Sequence, residues 1–192
     1  MLPSTVKLDK RDLNIIRLLQ KDCRVSLSKI AEDLGISHVT VGRRLERLIN
    51  DGFVKPALAL NPTKFDLYLS VILMEVESQE DIDAIVNQFQ DCPRILSIMN
   101  ATGNYNLIIT SIAENRKALE SVAGHCSPRT QRKVRRSETL LCAPVTNTFL
   151  TIPLATPSED ERCNCGLNCL DCSAYILKRC PGCPGKPYYR SK

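Results

Sequence analysis

Apolar residues recur through the first third of the chain at intervals of three and four, the period of helices lying on a core. Over residues 8–23, Leu13, Ile15, Ile16 and Leu19 make one such face, and Asp9 is placed to cap its start. Residues 26–34 predict a second, shorter helix beginning at Ser26. Gly35 then supplies a turn, because glycine alone takes positive φ without steric cost. A third helix starts at Ser37 and carries Val41, Leu45 and Leu48 as a buried stripe. Its other side presents His38, Thr40, Arg43, Arg44 and Arg47. Ala31 is small where the two short helices cross. Residues 53–62 alternate poorly and hold two prolines, which predicts a short strand or wing and then a hinge at Asn61-Pro62.

From residue 65 the period changes. LYLSVILMEV is rich in aliphatic and β-branched residues, as a strand covered on at least one face should be. Residues 80–90 return to helical spacing with Ile82, Ile85, Val86 and Phe89, and Cys92-Pro93 ends that run. Strands over 95–102 and 105–112 flank Gly103-Asn104, a tight turn suited to a hairpin. A helix over 115–124 and a strand over 137–142 complete the order β-α-β-β-α-β. That order predicts a ferredoxin-like sheet with two helices on one face. The other face is aliphatic enough to predict pairing with a second copy, hence a homodimer. The fold class is therefore α+β: an N-terminal three-helix (winged) helix-turn-helix, a ferredoxin-like domain and a small Cys-rich tail. The expected boundaries are 1–60 for the helix-turn-helix domain and 65–145 for the ferredoxin-like dimerisation domain. Residues 146–162 read as a linker and 163–192 as the tail.

Charge sharpens this division. Residues 1–64 hold 12 Lys/Arg against 7 Asp/Glu, residues 65–127 hold 3 against 9, and residues 128–192 hold 11 against 5. Basic ends suit a polyanion and an acidic middle does not. A helix that is apolar on one side and cationic and hydrogen-bonding on the other suits a DNA major groove. Ser37, His38, Thr40, Arg43, Arg44 and Arg47 are the candidate DNA contacts, with Arg able to take guanine in bidentate fashion. The densest basic run, residues 129–136, reads as a solvated loop leading into the last strand. No apolar run is long enough to span a bilayer and no charged-then-apolar leader opens the chain, so a cytoplasmic protein is expected.

The residues LDKRDLNIIRLLQKDCRVSLSKIAEDLGISHVTVGRRLERLINDGFVKPALALNP resemble the DNA-binding half of the Lrp/AsnC (feast/famine) family of prokaryotic transcription regulators. The following βαββαβ segment with TGNYNL resembles that family's dimerisation and effector domain. The resemblance spans about residues 7–145. It implies homodimers, often in larger rings, on palindromic DNA near promoters, with a small effector near the glycine hairpin. Gly103, Asn104, Tyr105 and Asn106 are the effector candidates it implies. The family's hairpin usually ends in an acid where this chain has Asn106. An amide cannot hold an ammonium by charge, which argues against an amino-acid effector.

The tail departs from the family. Cys163, Cys165, Cys169, Cys172, Cys180 and Cys183 fall within 21 residues. In a reducing compartment such regular spacing points to metal rather than disulfides. The Cys-Pro-Gly-Cys knuckle at 180–183 suits chelation, and the x3, x2 spacing of Cys165, Cys169 and Cys172 favours a [4Fe–4S] cluster over zinc. CGLNCLDCSAY followed by CPGCP also resembles a small archaeal and bacterial Cys-rich domain. Cys23, Cys92, Cys126 and Cys142 are scattered and read as buried hydrophobes without a role. The chain is thus expected to be a transcription regulator responsive to metal, iron–sulfur or redox state, and not an enzyme. Two alternatives are a sirohaem-decarboxylase-like enzyme, whose scaffold is similar, and an effector-free DNA-architectural protein. The first is disfavoured by the presence of only two histidines and no paired carboxylates.

Overall fold

The caps read from sequence are where the helices begin. In the computed structural model, which describes residues 8–131, 133–146 and 148–190, Asp9 starts α1 (Lys10–Lys21), Ser26 starts α2 (Leu27–Leu34) and Ser37 starts α3 (His38–Asn50). Asp9 accepts from the Asp12 N–H at 2.8 Å while the Asp12 carboxylate accepts from the Asp9 N–H at 3.2 Å, a reciprocal capping box. Gly35 takes φ 61° at the turn between α2 and α3. Ile15, Ile30, Ala31 and Val41 form the buried core of this unit, with Leu18, Leu19 and Leu34 packed around it. Residues 53–59 form neither helix nor strand. The expected short strand is reduced to a single antiparallel bridge from Leu60 to Leu150, and Asn61-Pro62 opens a 3₁₀ turn instead of a free hinge.

The chain divides into two units, Met1–Ala57 and Leu58–Lys192. The second contains β1 (Tyr68–Val76), α4 (Gln79–Phe89), β2 (Ile95–Asn100), β3 (Leu107–Ala113), α5 (Arg116–Ala123) and β4 (Val134–Cys142). All pairings are antiparallel, in the order β2-β3-β1-β4. Side chains alternate across β1 as the period of two requires. Ile72, Met74 and Val76 face Ile82, Ile85 and Phe89 of α4, Val122 of α5, and Leu107 and Ile109 of β3. The opposite face carries Leu69, Val71 and Leu73 in register with Ile112, Thr110 and Ile108 of β3. No helix covers it among the described residues.

Three expectations need correction here. β4 begins at Val134, not at residue 137, because its basic start is neutralised across the sheet. Arg136 lies opposite Glu75, and Arg135 lies 3.8 Å from Glu75 and 3.6 Å from Glu77. The basic run is therefore partly strand rather than a solvated loop. Residues 148–162 are not a loose linker: Leu150 bridges Leu60, Ile152 is buried, and the Ser158 N–H donates to the Gly185 carbonyl at 2.8 Å. The tail belongs to the same compact unit as the sheet. No helix among the described residues is long and apolar enough to cross a membrane.

Candidate functional site

The face of α3 turned away from Val41 and Leu48 divides into two parts. His38, Val39 and Arg43 are exposed, and no ion pair among the described residues engages Arg43. Ser37 and Thr40 hold one another: the Ser37 hydroxyl accepts from the Thr40 N–H at 3.1 Å, and their hydroxyl oxygens are 2.8 Å apart. Thr40 is half-buried and still on the rim of the exposed face. Arg44 and Arg47, in contrast, turn back onto α1. One guanidinium N–H group of Arg44 donates to Asp9 at 2.6 Å and to Asp12 at 2.8 Å, while Arg47 donates to Asp12 at 2.6 Å. Asp12 is 1% exposed, so its charge is compensated by these two arginines and by the Asp9 N–H. The Asp12 N–H, and beyond it the Arg44 guanidinium, hold the Asp9 carboxyl below its ordinary range. Of the three arginines singled out by sequence, the structure leaves Arg43 exposed without an ion pair among the described residues and engages Arg44 in fixing α1 against α3. Arg47 is shared, at 50% side-chain exposure. Sequence reasoning passed over Val39. It is 57% exposed on the same face, where an apolar side chain can meet a thymine methyl. Its offset from the Val41–Leu45–Leu48 stripe is the signal that could have found it.

At the hairpin, Gly103, Asn104 and Asn106 border a surface groove with Glu75, Glu77, Arg135 and Arg136. Asn106 is occupied by the fold. Its amide oxygen accepts from the Val76 N–H and its amide nitrogen donates to the Val76 carbonyl, both at 2.8 Å, which extends β1 pairing by one side chain. Tyr105 donates to Glu138 at 3.1 Å and lies under the Arg136 guanidinium at 5.2 Å. Two of the four effector candidates thus have structural partners.

The tail is built around Tyr175, in the short helix α6 (Ser173–Ile176). Its hydroxyl donates to the Tyr188 carbonyl at 2.7 Å, and the Arg190 guanidinium stacks 3.7 Å from its ring. Tyr189 donates to Glu114 at 2.9 Å, beside the buried Arg94–Glu114 ion pair, and so fastens the tail to the sheet domain. Burial alone would raise the Glu114 carboxyl, but the bonds and charge of Arg94 more than offset it and leave it below its ordinary value. Cys163, Cys165, Cys169, Cys172, Cys180 and Cys183 all converge on one cavity of about 30 Å³, closed by Leu167, Ala174 and Tyr175. Cys126, from the turn after α5, lines the same cavity, with His125 beside it.

Within this cluster the sulfurs are organised. Cys163 and Cys169 lie 3.1 Å apart. Interaction among the cluster's thiols holds Cys165 and Cys183 below the ordinary thiol range and pushes Cys126 and Cys163 above it. The Arg94 charge also favours the Cys183 thiolate. Cys180 accepts from the Ser121 hydroxyl at 3.1 Å and from the Gly182 N–H at 3.4 Å. Among the described residues no group of three or more His, Cys, Asp or Glu already stands in metal-holding geometry. The Cys163–Cys169 pair is closer than the edge of a zinc–thiolate tetrahedron, about 3.8 Å with 2.3 Å bonds. The donor set suits a thiophilic ion, provided such a pair spreads by about 0.7 Å. Of the remaining cysteines, Cys92 is buried as expected and Cys142 is half-buried, but Cys23 is exposed and Cys126 belongs to the cluster.

Comparison with known proteins agrees with this architecture. Residues 8–55 match the family model described as winged helix-turn-helix DNA-binding. The DNA-binding transcriptional activator DecR of Escherichia coli is 30% identical over 106 residues, which are 53% of this chain and 70% of DecR. The HTH-type transcriptional regulator Ptr1 of Methanocaldococcus jannaschii is 28% identical over 113 residues, 58% of this chain and 76% of Ptr1. The structure of E. coli AsnC superposes with a TM-score of 0.61 at 21% identity. That match covers 98% of AsnC and 74% of this chain, so about a quarter of this chain has no counterpart there.

Proposed function

Since this chain belongs to the Lrp/AsnC family of helix-turn-helix transcription regulators, we propose that it binds a two-fold DNA site as a homodimer and that metal on its Cys-rich tail sets when it does so. The chain is a DNA-binding regulator, like the relatives it matches, and not an enzyme. The proposed homodimer follows from the uncovered aliphatic face of the sheet. Two copies joined there would present two α3 helices, and a palindromic operator mirrors such symmetry.

The observation that carries the metal reading is the convergence of all six tail cysteines on one small cavity. Dispersed thiols would be expected of a structureless tail. The apolar lining of Leu167, Ala174 and Tyr175 limits water, and the Ser121 hydroxyl and the Gly182 N–H donate to the Cys180 sulfur as outer-shell partners do. Bound there, a soft divalent ion would supply a charge that holds the sulfurs together, and its binding free energy would add to folding. So small a cavity favours a single ion such as zinc over the four-iron cube suggested by the spacing, which would require the walls to separate further.

Protein purified without oxygen should be colourless and contain zinc by elemental analysis. Its operator affinity in an anisotropy titration should change at least several-fold on chelation. A brown sample with iron and sulfide would restore the cluster. No bound metal would reject the metal reading, and equal affinity with and without metal would reject its regulatory part.

A further inference from the structure

The tail cysteines account for six of the seven thiols at the cavity. The seventh, Cys126, arrives from the turn that joins α5 to β4, within the sheet domain. Its position there is fixed by the backbone: the Cys126 N–H donates to the Ser121 carbonyl at 2.9 Å, and Ser127 caps the 3₁₀ turn that follows. Ser121 is the residue whose hydroxyl reaches Cys180. The same helix end therefore touches the thiol cluster twice, through Ser121 and through Cys126.

Cys126 and the six tail cysteines line one small cavity, so thiols from two parts of the chain are brought together there. Within it Cys169 lies 3.1 Å from Cys163, while Cys180 is turned towards Ser121 and the Gly182 N–H. A tetrahedral tetrathiolate site needs four sulfurs from short, well-supported segments. The cavity offers six from the tail and one from the sheet domain.

We infer that Cys126 is a metal ligand, and that with tail cysteines of the same cavity it forms a four-thiolate site that joins the tail to the α5–β4 turn of the sheet domain. The inference rests on the proposed metal reading and specifies one of its ligands. It replaces a self-contained tail knuckle with a site shared between two parts of the chain. Occupancy is then felt where β4 enters the sheet, since Arg129, three residues on from Cys126, donates to the Ala123 carbonyl at 3.0 Å and to the Thr139 hydroxyl at 3.4 Å.

The test uses the full-length protein loaded with zinc. Zinc affinity by competition with a chromophoric chelator is measured for wild type, Cys126→Ser and Cys23→Ser, the last an exposed cysteine of the DNA-binding unit. Loss of an outer-shell partner typically weakens metal binding about 10–100-fold, so loss of a ligand should exceed about 100-fold in Cys126→Ser. Cys23→Ser should equal wild type. In wild type itself, thiol alkylation followed by peptide mapping should find Cys126 protected together with tail cysteines when zinc is bound, and labelled after chelation. This second measurement holds even if the serine variant folds poorly. Zinc-loaded wild type in which Cys126 labels at the same rate before and after chelation would overturn the inference and leave the metal reading standing. So would a folded Cys126→Ser variant of unchanged affinity. Wild type that binds no zinc would remove the metal reading, and this inference with it.

Discussion

Asp12 receives three donors while almost fully removed from water, and two of them are arginines of the recognition helix. A carboxylate so placed makes adjacent arginines functionally different. Removing Arg44 leaves the buried charge with Arg47 as its remaining cation and Asp9 without its partner. Arg44→Ala should therefore destabilise the DNA-binding unit by about 1–3 kcal/mol, the cost of an under-satisfied buried polar group, and lower its melting temperature. Arg43→Ala touches no such network and should stay within about 0.5 kcal/mol of wild-type stability. It should instead weaken DNA binding by about 1–3 kcal/mol if Arg43 reads a base. Paired thermal melts and anisotropy titrations separate the two. An Arg43 variant with unchanged affinity would move recognition to His38, Val39 and Thr40. Sequence could identify a cationic face on α3. It could not show that α1 claims part of that face, because Asp9 and Asp12 approach Arg44 only after the helices pack.

At the scale of elements, what was legible was local. The caps at Asp9, Ser26 and Ser37, the Gly35 turn and the alternation of β1 depend on near neighbours, so their residues announce them. The start of β4 was hidden, since Arg135 and Arg136 look like solvated loop until Glu75 and Glu77 lie beside them. The docking of residues 148–190 was hidden for the same reason: Tyr189 meets Glu114, and Cys126 joins the tail cysteines at one cavity, only through the tertiary fold. Gly182 shows how closely the tail's knuckle is fitted. It has φ 85°, and a Cβ there would come within 2.9 Å of the Tyr188 carbonyl oxygen. The left-handed backbone alone costs a non-glycine residue about 1–2 kcal/mol. Gly182→Ala should lower the stability of the full chain by at least about that amount in a urea titration, and should raise the labelling rate of Cys180 and Cys183. Unchanged stability and labelling would mean that the knuckle relaxes freely.

For the whole molecule, the decisive surface is the uncovered face of the sheet. Leu69, Val71, Leu73, Met99, Ile108 and Leu140 share it by register. Placing a charge at its centre tests whether a second copy covers it. In light scattering after size exclusion, wild type should have twice the 21.5 kDa chain mass or a higher even multiple, and Val71→Lys should shift towards the monomer. Because a two-fold operator engages two recognition helices, the same variant should bind a full site little better than a half-site. A wild-type monomer would remove the symmetric reading and leave single-copy binding.

The strap formed by residues 148–162 has a kinetic meaning. Anchored at Leu150 and again at Ser158, it holds Cys163 next to the α5–β4 turn within one chain. The encounter between these thiols is thus governed by a local effective concentration, which dilution of the protein does not alter. A regulator made this way reloads at the same rate whether a cell holds a few copies or many, so its signal would track the surrounding ion and not its own abundance.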